Sequence, residues 1–100
     1  MLTIEEITEK LTPVFEANGV TKAILFGSYA KGTATPDSDV DLVIDVESHI
    51  RGFGVFGVFG EINDTLDVDM DIISRRSLVV GGKTDLEVAR TGKVIYERQG

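Results

Sequence analysis

Cysteine and tryptophan are absent from this 100-residue chain, and histidine occurs once. Without cysteine there is no disulfide framework and no thiolate metal site. A basic, apolar leader is also missing: the first residues, Met1-Leu2-Thr3-Ile4-Glu5-Glu6, lack the charge and the apolar core of a signal peptide. The longest apolar stretch, residues 53–60, is far too short to cross a bilayer. These absences make a cytoplasmic protein the expectation. Positive charge is scarce as well. Ten Lys and Arg face seventeen Asp and Glu, for a net charge of −7, which repels phosphate backbones and argues against general nucleic-acid binding. It does not argue against a nucleotide, because bound Mg²⁺ reverses the local field, and it suits a basic protein partner. Hydrophobic residues make up 42% of the chain, enough for a small core built unaided. One domain over residues 1–100 is expected.

Thr3-Ile4-Glu5-Glu6 has the form of a capping box. Ile4, Ile7, Leu11, Val14 and Phe15 follow at helical spacing, with Pro13 expected to kink or shorten the helix and Asn18-Gly19 to end it. Residues 21–26 form a short β-prone run ending at Gly27; residues 28–31 read as a first helical turn, and 32–38 as a loop. From 39 to 46 the pattern alternates: Val40, Leu42, Ile44 and Val46 face one way, Asp39, Asp41, Val43 and Asp45 the other. Residues 66–73 repeat it, with Leu66, Val68, Met70 and Ile72 opposite Asp67, Asp69, Asp71 and Ile73. Between these strands, Phe53, Phe56 and Phe59 recur every third residue, as do Gly54, Gly57 and Gly60. A helix accommodates that period and a strand does not, the alternative being a loop anchored by its aromatics. The phenylalanines are expected in the core, and the glycines are expected to let the helix approach the sheet. Thr84-Asp85-Leu86-Glu87 reads as a second capping box, opening a helix that Gly92 stops, and residues 93–97 as a last strand.

The chemistry is concentrated in residues 27–44. A strand ends in Gly27, Ser28 follows, and a helix begins. Helix N-termini present unpaired N–H groups suited to phosphate. Gly27 lets an anion reach the backbone, Ser28 adds a hydroxyl, and Lys31 lies one turn on. Asp39 and Asp41, two apart on a strand, project the same way at about 6–7 Å along the chain. Carboxylates that close repel unless a cation lies between them. Mg²⁺ takes oxygen ligands, commonly one or two carboxylates plus substrate phosphates. A third aspartate from the neighbouring strand would complete a site of the kind that clamps in-line displacement at phosphorus.

The stretch Gly27-Ser28-Tyr29-Ala30-Lys31-Gly32, a short loop, then Ser38-Asp39-Val40-Asp41-Leu42 resembles the signature of the DNA polymerase β-type nucleotidyltransferase superfamily. It is most similar to the minimal nucleotidyltransferases (MNT), short proteins of about this length whose ending resembles Gly92-Lys93-Val94-Ile95-Tyr96-Glu97. The resemblance covers nearly the whole chain. It implies a mixed β-sheet packed against helices, an α/β (α+β) fold. It also implies phosphate contacts from Gly27 and Ser28, with Lys31 and Ser38 as further nucleotide contacts. Asp39 and Asp41 would bind one or two Mg²⁺ ions, with ATP as substrate. A third aspartate would ligate metal and help activate the attacking hydroxyl. The family's Asp-aliphatic-aliphatic pattern fits Asp71-Ile72-Ile73, with Asp69 the runner-up and Asp67 too near the strand start. Many such proteins act as the antitoxin of a HEPN-domain RNase toxin by transferring AMP to one of its tyrosines. Two other readings stand beside that one: a non-catalytic antitoxin acting by occlusion, and a small-molecule nucleotidyltransferase, whose usual second domain has no room here.

Five other residues carry simpler expectations. His49, at a strand-to-helix connection, is expected in an exposed loop. Tyr29 and Tyr96 are expected to pack in or near the core. Arg75 and Arg76 are expected in a solvated loop.

Overall fold

The computed structural model describes residues 1–98. Four helices and four strands follow in the order α1 (Ile4–Ala17), β1 (Val20–Phe26), α2 (Gly27–Lys31), β2 (Val40–Val46), α3 (Phe53–Thr65), β3 (Met70–Ser74), a 3₁₀ turn Arg75–Ser77, α4 (Lys83–Thr91) and β4 (Lys93–Glu97). The strands form one sheet in the order β3-β2-β1-β4, parallel between β2 and β3 and antiparallel elsewhere. This is the mixed sheet with helices that the resemblance implied. No helix among the described residues is long and apolar enough to cross a membrane.

The alternation in β2 divides the molecule into two apolar clusters. Val40, Leu42, Ile44 and Val46 join Ile7, Leu11, Phe15, Val58 and Ile62 under α1 and α3. Val43 turns to the other face, with Ile24, Phe26 and Val88 under α4. The capping box forms at the start of α1, Thr3 and Glu6 each accepting from the other's backbone. Pro13 does not shorten α1, which runs four residues beyond it to Ala17. The buried Ile7, Leu11 and Phe15 hold the helix, while Pro13 lies on its exposed side. Tyr96 packs at a tilt against Phe15 with ring centroids 5.3 Å apart, and Tyr29 is buried, as expected of both.

Four expectations need correction. First, β3 starts at Met70, so residues 66–69 are not strand. Leu66 and Val68 do pack on the core. A strand also needs a ladder partner, however, and β2 offers none before Val40, whose N–H donates to the Asp69 carbonyl. Second, α4 begins at Lys83 with Gly82 as N-cap, so Thr84 caps nothing. The Asp85 carboxylate instead accepts from the Gly81 N–H at 2.9 Å.

Third, the phenylalanine stripe is not core: Phe53 is 92% and Phe56 66% exposed, and Phe59 is half-buried. A period of three drifts around a helix of 3.6 residues per turn. Val55, Val58 and Ile62 take the inner face instead. Nor do the glycines serve the sheet, since a Cβ on Gly57 or Gly60 would meet nothing within 4 Å. Fourth, Arg76 is no idle loop residue. Its guanidinium donates to the carbonyls of Val46, Glu47 and Ile50, tying the end of β3 to the loop after β2. His49 is exposed in that loop, as expected, with Nε2 3.6 Å from Glu47.

Candidate functional site

The site is assembled where β1 ends, β2 begins and β3 begins. Phe26 pairs with Asp41 across the antiparallel ladder, so the turn after β1 falls beside the Asp41 side chain. Gly27 has φ +73°, a conformation L side chains rarely adopt. A Cβ there would collide with Asp41 Oδ2 and lie 3.1 Å from its Cγ. The glycine is therefore required twice, by its backbone and by the carboxylate against it. No side chain caps α2, which leaves the first N–H groups of this turn open. Because α2 is five residues long, those local donors matter more than any macrodipole.

The parallel ladder then sets the acids. Asp41 stands opposite Asp71, one pair along from Val40 and Met70. Asp39 and Asp69 each lie one residue before those first paired positions, outside the strands. Asp69 instead lines a polar groove of about 460 Å³ with Ser38, Asp37 and Asp67. Alternation along β3 thus carries only Asp71 into line with Asp41. Asp71 and Asp39 are exposed, whereas Asp41 is half-buried. Burial, then the charges of Asp71, Asp39 and Glu87, push the Asp41 carboxyl up to about 6, with Lys31 opposing them.

Lys31 Nζ lies 3.3 Å from Glu87 Oε1 of α4. Glu87 was not foreseen from the sequence. It comes from a helix distant in the chain, and no spacing announces a pair made by packing α2 against α4. Ser38 Oγ accepts from the Thr35 N–H at 2.8 Å, which fixes the loop leading into Asp39. Among the described residues, no three acidic or histidine side chains already converge to hold a metal. The donor set still fits a hard divalent cation: it is all-oxygen, and burial together with the neighbouring acids raises the Asp41 carboxyl to about 6, a cost that a bound cation would relieve. A groove of about 670 Å³ lies elsewhere, along the β3 edge, and none of Asp39, Asp41 and Asp71 lines it. The carboxylates sit on an open surface rather than in a deep cavity.

Comparison with known proteins identifies the family and the fold. The protein adenylyltransferase MntA of Thermococcus cleftensis is 34% identical over 85 residues, 81% of this chain and 86% of the relative. A toxin–antitoxin crystal structure with AMP-PNP superimposes with a TM-score of 0.74 at 23% identity, covering 92% of this chain and 74% of that one. The complex of a tri-AMPylated Shewanella oneidensis HEPN toxin with its MNT antitoxin gives 0.70 at 18% identity, covering 96% and 74%. At such identities the superpositions speak for the fold. The family model "Polymerase beta, Nucleotidyltransferase" matches residues 9–100, which include the Gly27 turn and all the strand-borne aspartates. On that match, and on the MntA relative, the chain belongs to the polymerase β nucleotidyltransferase family.

Proposed function

We propose that this nucleotidyltransferase is a protein adenylyltransferase, moving AMP from ATP to a tyrosine hydroxyl of a HEPN-type RNase toxin and acting as its antitoxin. The observation that carries the reading is the meeting of three elements: the open Gly27-Ser28 turn, Asp41 against it, and Asp71 in register with Asp41. The MntA relative and the AMPylated toxin complex supply the substrate class. A cytoplasmic location and a single domain over residues 1–100 belong to the same proposal.

In this reading the N–H groups of Gly27 and Ser28 hold the β- and γ-phosphates, and the Ser28 hydroxyl adds a contact. Lys31 turns from Glu87 toward phosphate, and Ser38 holds the loop that sets Asp39. Asp39, Asp41 and Asp71 would hold Mg²⁺, which when bound neutralises the triphosphate and the charge developing on it. The acceptor oxygen attacks the α-phosphorus in line. A new O–P bond forms, the bond to the β-phosphate oxygen breaks, and pyrophosphate leaves with its electron pair. Asp71, exposed on the edge strand, takes the hydroxyl proton.

Intact mass spectrometry of the toxin, after incubation with a small fraction of this chain, ATP and Mg²⁺, tests the proposal. The expected result is a mass gain of one or more AMP units, retained when the antitoxin is removed. An unchanged toxin mass, together with full neutralisation by an equimolar Asp41→Asn variant, would establish occlusion instead.

A further inference from the structure

Val88 anchors α4, buried with Ile24, Phe26 and Val43. Residues three and four apart on a helix share a side, and Lys83, Leu86, Glu87 and Arg90 do so on α4. With Lys31 of α2 they line a groove of about 320 Å³. Three bases therefore surround one acid in a chain that is otherwise short of positive charge. Lys83 and Arg90 lie four residues before and three after Glu87, at spacings that allow ion pairs on one helix. Glu87 pairs instead with Lys31, the residue that closes α2, at 3.3 Å. Among the described residues, Lys83 and Arg90 have no ion-pair partner. The Glu87 and Lys31 charges also reach Asp41, with opposite signs: Glu87 raises its carboxyl and Lys31 lowers it.

We propose that Glu87 is a positioning residue that makes nucleotide binding depend on Mg²⁺, by engaging the Lys31 ammonium until a metal-complexed triphosphate draws it away. The inference rests on the reading of Gly27, Ser28 and Lys31 as the phosphate site. In the empty site Lys31 is neutralised by Glu87. A metal-free triphosphate then meets Asp39, Asp41, Asp71 and Glu87 with no free ammonium beside them, and like charges repel. Bound Mg²⁺ reverses the field at the aspartates, so the phosphates come close enough for Lys31 to exchange partners. Glu87 is not left uncompensated by that exchange, because Lys83 and Arg90 flank it within the same groove. Helix α4 thus supplies both the restraint on Lys31 and its replacement. The Lys31 and Glu87 side chains are 45% and 33% exposed, and an ion pair so open to water is weak, which suits a contact that opens at every binding event.

Calorimetric titration of the full chain with AMP-PNP, once with Mg²⁺ and once with a chelator, tests the inference. The wild type should bind more weakly without the metal. Glu87→Gln should tighten metal-free binding by about fivefold and change binding with Mg²⁺ by less than about twofold, so that the metal dependence shrinks. Glu87→Asp keeps the charge and should keep the wild-type ratio. With Lys31→Met in the background, Glu87→Gln should lose most of its gain. A gain of equal size without Lys31 would show that Glu87 merely repels phosphate and would overturn the positioning role. An unchanged ratio in Glu87→Gln would overturn this inference alone, whereas a wild type that fails to bind AMP-PNP with Mg²⁺ would overturn the phosphate site as well.

Discussion

The Cα of Gly27 is turned onto the carboxylate of Asp41, leaving no space for a Cβ between them. Gly27→Ala should therefore cost more than backbone strain alone. A positive φ with a Cβ costs about 1–2 kcal/mol, and displacing Asp41 should bring the total to about 2–4 kcal/mol. AMP transfer should fall with it. Gly32→Ala is the comparison, because Gly32 has φ +77° with nothing within 4 Å of the added atom. It should show the strain and nothing more. Urea denaturation of both variants decides the point, and equal costs would refute the role given to the Gly27–Asp41 contact.

The raised pKa of Asp41 fixes the sign of a pH dependence. Its folded value of about 6 lies above the ordinary 3.8, so the folded protein binds more protons than the unfolded chain between those values. The contribution is full below the ordinary value and is lost as pH rises through about 6. Metal-free protein should thus melt lower at pH 7.5 than at pH 5 through this group, and Asp41→Asn should remove that difference. Water around this half-exposed carboxyl keeps the effect well below what the shift alone would give. Mg²⁺ affinity should run the other way, falling as the pH drops below about 6, because protons compete for the same oxygens. Thermal melts with and without Mg²⁺ across this range provide the measurement.

Register makes a sharp distinction between two neighbouring acids. Asp71 pairs with Asp41, whereas Asp69 lies in the loop before the ladder. Asp71→Asn should lower single-turnover AMP transfer by about a hundredfold or more, and Asp69→Asn by less than about tenfold. The opposite ranking would move the third carboxylate to Asp69.

Arg76 carries stability rather than chemistry. Arg76→Ala frees the carbonyls of Val46, Glu47 and Ile50 and should cost about 2–3 kcal/mol. Arg75→Ala should stay within about 0.5 kcal/mol. Denaturant midpoints for the pair check both.

The strands that carry the aspartates were legible because alternation is a local code. Val40, Leu42, Ile44 and Val46 had to lie inward, which forced Asp41 outward. The order of Gly27, Ser28, Asp39 and Asp41 was equally plain, since the residues that need one another are close in sequence. What escaped was whatever depends on a partner far along the chain. Alternation over residues 66–73 did not reveal that only Met70 onward has a strand to pair with. Nothing near Lys31 announced Glu87. The regular Phe53, Phe56 and Phe59 obscured Val55, Val58 and Ile62, which match the helical period and take the inner face.

The sheet also works as a partition. Asp41 projects from the face that bears Val43, while α3 packs on the face that bears Leu42 and Ile44. The sheet separates Asp41 from α3, whereas Asp71, on the edge strand, lines a groove of about 370 Å³ with Phe59, Gly60 and Asn63 of α3. A probe, tether or crosslink attached at Phe53 would leave the opposite approach to Asp41 unobstructed, even for an acceptor as bulky as a folded protein. The exposed residues at the start of α3, Phe53 and Phe56, can therefore drift, or be redesigned, for a new companion without disturbing Asp41.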